Sequence, residues 1–152
     1  MAITIISKTD LARRTRQVVD QARHGQPIIV ESYGEEQVAI LDATDYRCLR
    51  ALAAYHAQPS HTGPAHDRSL VPAGLDAADV EKSVAQSSGD PQAAWNLVLA
   101  AYFDGQISLG RAAELLNGSR FDLQQRFNRL GLPLRTGPTD LDEARREVAA
   151  LR

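Results

Sequence analysis

Apolar positions change their period several times along this chain, and each change marks an element. Ile3 to Ile6 is a short β-branched run that predicts a strand. Leu11, Thr15, Val18, Val19 and Ala22 then recur at helical spacing, with Ser7 or Thr9 placed to cap that helix. His24-Gly25 and Pro27 predict its end. Two strand-like runs follow, Pro27 to Glu31 and Gln37 to Leu41, around the Gly-containing connection Ser32-Tyr33-Gly34-Glu35-Glu36. Thr44 can cap a second helix, with Tyr46, Leu49, Leu52 and Ala53 on one face. The order is β-α-β-β-α. About 55 residues make a marginal core, and a two-stranded hairpin is weak alone. Residues 1–57 are therefore expected to form a homodimer.

The period is lost over residues 58–89, where Pro59, Gly63, Pro64, Pro72 and Gly74 predict a flexible linker with a short helical stretch around Ala77 to Ala85. It returns at Asp90-Pro91, a cap followed by proline at the first helical position. Trp95, Val98, Leu99, Tyr102 and Phe103 form one apolar face, and Asp104-Gly105 closes that helix. Ser108 caps a second helix holding Leu109, Ala112, Ala113, Leu115 and Leu116. After Asn117-Gly118, Ser119 caps a third with Phe121, Leu123, Phe127 and Leu130, ended by Gly131 and Pro133. A last stripe, Leu141, Ala144, Val148 and Leu151, makes residues 136–152 an amphipathic tail. The fold class expected is α+β: a small dimerising β-α-β-β-α domain over 1–57, the linker, and an all-α domain over 90–135.

Composition narrows the class. Hydrophobic residues are 43% and charged residues 24% of the 152, as in globular proteins, and aromatic residues are only 5%. The single cysteine, Cys48, excludes an internal disulfide and sits where a small packed side chain is expected. There is no run of about 20 apolar residues to span a membrane, and the start lacks the pattern of a signal peptide. A cytoplasmic protein with no membrane partner is expected. The net charge of −2 is uninformative, but its distribution is not. Residues 1–30 carry Lys8, Arg13, Arg14, Arg16 and Arg23 against Asp10 and Asp20, a local +3. Such a patch can bind phosphate on a chain that is neutral as a whole.

Three constellations bear on function. In residues 106–131, Ala112-Ala113, a turn containing Gly118 and a second helix capped by Ser119 form a helix-turn-helix pattern. Small alanines let the helices cross closely, Gly118 is expected to relieve the turn, and the second helix would enter the major groove. Ser119, Arg120, Gln124, Gln125 and Asn128 are of the types that contact phosphates or base edges, with Arg126 and Arg129 also on this helix. A helical hairpin that binds only protein is the competing reading. The second constellation is Lys8, Arg13, Arg14 and Arg16, which two copies could join into a basic strip. The third is the tail, which either lies in a partner's groove or folds back on the third segment. Catalysis finds no footing. His24, His56, His61 and His66 lack metal-ligand spacing, and neither a Gly-rich phosphate loop nor a Gly-x-Ser-x-Gly run is present. Neither an enzyme nor a cofactor is expected.

Residues 3 to about 55 resemble the Phd/YefM antitoxin family. The matching text is Ile5-Ile6-Ser7-Lys8-Thr9-Asp10-Leu11-Ala12-Arg13-Arg14-Thr15, then Gly25-Gln26-Pro27-Ile28-Ile29-Val30, Val38-Ala39-Ile40-Leu41, and Asp45-Tyr46 with Leu49 downstream. That resemblance implies a dimeric DNA-binding domain that represses its own operon, and a C-terminal region that covers a cognate toxin. The family's basic position early in the first helix is matched by Arg13 or Arg14. Glu31-Ser32-Tyr33 stands where the family often has a basic residue, which removes one implied phosphate contact.

Residues 95 to about 134 resemble the UPF0175 helix-turn-helix proteins. The match runs from Ala101 through Asp104-Gly105-Gln106-Ile107-Ser108 to Leu116, then Ser119-Arg120-Phe121 and Gly131-Leu132-Pro133-Leu134. Members of that family are suspected antitoxins beside PIN-domain ribonucleases. The resemblance implies a PIN-type toxin as partner, covered by the region after Gly131. Arg135 or Arg145 would pair with its acidic site, and Leu141, Val148 and Leu151 would pack in its groove. Together these readings give an antitoxin that neutralises a toxin by contact and represses its operon by binding operator DNA. The alternative is a stand-alone transcriptional regulator without a toxin.

Overall fold

The computed structural model describes residues 3–58, 77–86 and 89–134. Arg135 and the tail 136–152, with Leu141, Arg145, Val148 and Leu151, lie outside the described residues, as do 59–76 of the expected linker. The protein is mixed α+β. The described residues form a three-stranded sheet and seven helices, in two compact units that divide between Arg47 and Cys48.

The first unit runs β1 (Thr4–Ser7), α1 (Lys8–Arg13), α2 (Thr15–Arg23), β2 (Ile28–Ser32) and β3 (Glu35–Ile40), and ends in the first turn of α3 (Ala43–His56). Ser7, not Thr9, caps the first helix. Its hydroxyl accepts from the Asp10 backbone N–H at 3.1 Å and donates to the Asp10 carboxylate at 2.9 Å, a reciprocal cap. The single expected helix is two, because Arg14 leaves helical geometry at φ −125°, ψ 30°. Thr15 marks the break, its hydroxyl donating to the Leu11 carbonyl at 2.7 Å.

β2 is central, parallel to β1 and antiparallel to β3. The register aligns Ile6, Val30 and Val38, and likewise Thr4, Ile28 and Ile40. Those residues share one face, and α1 and α2 pack against β2. Val18, Ala22, Ile28 and Val30 are buried there. The hairpin is tighter than expected: Tyr33 (φ 57°) and Gly34 (φ 78°) make a two-residue turn between Ser32 and Glu35. A register shift after Val30 sets Glu31 opposite Glu36.

α3 is capped by Asp42 rather than Thr44, the Asp42 carboxylate accepting from the Thr44 and Asp45 backbone N–H groups at 2.9 and 3.3 Å. Its buried face is also rotated from the expected one. Tyr46 is half-exposed and Leu49 is exposed, whereas Cys48 and Ala51 are buried with Leu52 packed beside them. Cys48 and Ala51 belong to the core of the second unit, so the division falls ten residues before the boundary expected at residue 57.

The second unit continues with α4 (Ala77–Gln86), α5 (Pro91–Phe103), α6 (Leu109–Leu115) and α7 (Arg120–Leu130). α4 falls on the short helical stretch expected within the linker, but it is not a free linker helix: Val80 is buried and Val84 packs on the same core. Asp90 caps α5 by accepting from the Gln92 N–H at 2.8 Å, with Pro91 at its first position. The core joins Val98, Leu99, Tyr102, Leu109, Ala112, Ala113, Leu123 and Phe127. Tyr102 and Phe127 meet edge to face with centroids 5.5 Å apart, and the Tyr102 hydroxyl donates to the Pro133 carbonyl at 3.2 Å. The Tyr55 hydroxyl donates to the Asp104 carboxylate at 2.8 Å, tying α3 to the end of α5. No helix among the described residues is long and apolar enough to cross a membrane.

Candidate nucleic-acid interface

In the second unit the chemistry sits on α6, the turn Leu116–Ser119, and α7. Ser108 caps α6 by accepting from the Arg111 N–H at 3.1 Å. The buried Ala112 and Ala113 let α6 pack closely, as their size predicts. The turn works differently from expectation. Asn117 adopts the left-handed conformation at φ 54°, and a side chain at Gly118 would meet only the Ala113 carbonyl at an ordinary 3.8 Å. Asparagine tolerates that region better than most residues, so Asn117, not Gly118, relieves this turn. Ser119 caps α7, its hydroxyl accepting from the Asp122 N–H at 3.4 Å. α7 ends on Gly131 at φ 67°, with the Leu132 N–H bonded to the Phe127 carbonyl at 2.9 Å and the Gly131 N–H to that of Asn128 at 3.3 Å. This paired closure anchors the buried Leu132 and fixes the length of the helix.

Leu123, Phe127 and Leu130 lie inward. Ser119, Arg120, Gln125 and Asn128 are exposed and Gln124 half-exposed, so every residue expected to contact DNA from this helix is accessible to some degree. They do not share one line: Gln125 and Asn128 point away from the core, and Gln124 and Arg120 flank them. Arg126 is folded onto its own helix, its Nε donating to Asp122 at 2.9 Å. Arg129 is half-buried. Phe121 corrects the core expectation, for it is 67% exposed. The spacing already held that signal: Leu123, Phe127 and Leu130 follow an i, i+4, i+7 stripe that Phe121 does not join.

In the first unit, Arg13, Arg14 and Arg16 line one shallow open depression with Gln17, Asp20, Gln21, His24 and Gln26; Lys8 is not part of it. The break at Arg14 gathers three guanidiniums that an unbroken helix would spread over more than one face. Gln17, Gln21 and His24 are absent from the sequence-based expectation, although they follow Arg14 at helical spacing. The cations do not stand alone. Arg14 pairs with Asp10 at 3.3 Å across an exposed helix turn. The Ser7 hydroxyl, and then Arg14, hold the Asp10 carboxyl below its usual 3.8. His24 Nδ1 lies 2.6 Å from the Asp20 carbonyl. Guanidiniums and amides in an open concavity suit an extended polyanion.

The outer face of the sheet completes the first unit. Ile5, Ile29 and Ala39 share it by register, opposite the helices. Ile5 is 54% exposed and Ile3 beside it 58%. Among the described residues no group of three or more His, Cys, Asp or Glu side chains could hold a metal ion. The chain matches no protein-family model, no characterised protein and no solved structure at a significant level.

Proposed function

We propose that this protein is a DNA-binding repressor of the antitoxin type, which binds operator DNA and neutralises a cognate toxin by contact. The observation that carries the DNA-binding half is α7. It is a helix capped by Ser119, anchored inward by Leu123 and Phe127, that presents Arg120, Gln124, Gln125 and Asn128 to solvent after a helix-turn-helix crossing. The arginine depression supports a second, sequence-independent contact with phosphates. The apolar outer sheet face supports a homodimer through the first unit, since Ile3 and Ile5 stand in water unless a second copy covers them. The toxin half rests on the resemblance of residues 3–55 to the Phd/YefM antitoxins and of residues 95–134 to the UPF0175 proteins, whose members are suspected antitoxins. A PIN-type ribonuclease is the partner it implies, held by Arg135, Leu141, Arg145, Val148 and Leu151 of a tail outside the described residues.

Capture of the tagged full chain from its native host, followed by mass spectrometry, tests both halves. A small ribonuclease in near-stoichiometric amount, no longer recovered when residues 136–152 are removed, is the expected result. Recovery of the chain's own upstream DNA without any protein partner would leave the stand-alone regulator instead.

A further inference from the structure

Phe121 is the largest side chain that α7 turns away from its core. It recurs with Gln125 and Asn128 at i, i+4 and i+7, a stripe on the face opposite Leu123 and Phe127, with Gln124 at its border. A phenyl ring kept in water is free energy available to whatever covers it. Its neighbours define what that is. The primary amides of Gln125 and Asn128 each carry a donor and an acceptor, the pair that complements adenine N7 and N6 in the major groove. A phenyl ring complements the C5 methyl of thymine, the partner of adenine in the same base pair. Arg126 is of the residue type suited to guanine, but it is drawn onto Asp122 at 2.9 Å on the flank of the helix.

We propose that the outward face of α7 reads A·T base pairs, with the Phe121 ring packed on a thymine C5 methyl and the Gln125 and Asn128 amides directed at adenine edges. The inference rests on the DNA-binding reading of α6 and α7 and deepens it: it names the base chemistry recognised and adds Phe121 as a specificity-determining residue.

The test uses the full chain and a pool of duplexes with a randomised centre. Bound duplexes are sequenced, and the preferred duplex is resynthesised with deoxyuridine replacing thymidine one position at a time. That exchange removes only the C5 methyl. The expected outcome is enrichment of A·T pairs and one position where deoxyuridine weakens wild-type binding about fourfold, the worth of one buried carbon. Phe121→Ala should weaken binding to the thymidine duplex at least as much and be indifferent to deoxyuridine at that position. Phe121→Leu should retain part of the discrimination. Both variants change an exposed side chain, and melting curves that overlay the wild type will confirm their fold.

Enrichment of G·C pairs with no position sensitive to deoxyuridine would overturn the proposal and leave DNA binding standing. So would a Phe121→Ala variant as sensitive to deoxyuridine as the wild type. Unchanged DNA binding by Phe121→Ala together with a lower sedimentation mass would assign the face to a protein contact and overturn it as well. Failure of the wild type to bind any duplex would remove the DNA-binding reading and this inference together.

Discussion

The two compact units solve the same problem, covering a small core, in opposite ways. In the second unit four helices and part of α3 bury Tyr102, Phe127, Leu99 and Val98, and local hydrogen bonds at Asp90, Ser108, Ser119 and Gly131 fix the starts of α5, α6 and α7 and the end of α7. In the first unit one sheet face is covered by two short helices and the other is left apolar and open at Ile3, Ile5 and Ala39. A layer with two apolar faces needs something on both. Among the described residues the second unit buries its apolar core and leaves a polar face of α7 exposed. On the proposed reading, the first unit takes a second copy, and the two basic depressions then join into a strip.

The sharpest way to break this contrast is in the second core. Phe127→Ala removes a fully buried ring and should cost roughly 3–5 kcal/mol, read as a lowered denaturant midpoint. A destabilisation under about 1 kcal/mol would mean that the core is looser than its burial indicates. Next in size is Ile5→Asp on the open sheet face. It should convert a concentration-dependent dimer into a monomer by sedimentation while leaving the second unit's hydrogen-exchange protection unchanged. A monomeric wild type would deny the first unit its second copy.

Most of the second unit is legible in the sequence. Its caps are local devices, and Ser, Asp, Pro and Gly at the right offsets declare them without reference to the rest of the chain. Phe121 and Asn117 depart from expectation for different reasons. An aromatic ring suggests a core, but Phe121 falls off the Leu123, Phe127 and Leu130 stripe; a glycine suggests a turn, but the left-handed residue is Asn117, a type that tolerates that conformation. The first unit is legible in order but not in detail. The break at Arg14 arises from a Thr15 hydroxyl competing with the backbone, and the burial of Cys48 in place of Leu49 is a rotation of α3 set by tertiary packing. The first is a local competition that apolar periodicity does not register, and the second is not a local signal at all. The grouping of Arg13, Arg14 and Arg16 without Lys8 depends on that same break.

Smaller effects separate the two units as proposed DNA-binding surfaces. Replacing Arg13 and Arg14 by Ala should lower affinity equally for all duplexes and make the salt slope shallower by about one for each phosphate that is no longer neutralised. Replacing Ser119 by Ala should instead cost roughly 0.5–2 kcal/mol of stability by removing the α7 cap, with little change in salt slope.

The smallest effect is a pH dependence. Asp10 is held below its usual 3.8 first by the Ser7 hydroxyl and then by Arg14. The unfolded chain therefore binds the proton more readily. The stability this contributes is present above about 3.8 and is lost as pH falls through the lowered folded value. Asp10→Asn should flatten the pH dependence of the first unit's melting temperature in that acid range alone, and an NMR titration of Asp10 should show a midpoint below 3.8.

The decisive measurement is fluorescence anisotropy of the full chain on a duplex from upstream of its own reading frame, compared with a scrambled duplex, for the wild type and for Gln124→Ala/Gln125→Ala/Asn128→Ala. The wild type should prefer its own upstream sequence by well over about tenfold, in keeping with the margin by which specific binding exceeds non-specific binding. The triple variant should bind both duplexes with the same weak, salt-dependent affinity. A triple variant that keeps the full preference would contradict recognition by α7, and a wild type without preference would contradict a repressor that reads DNA at all.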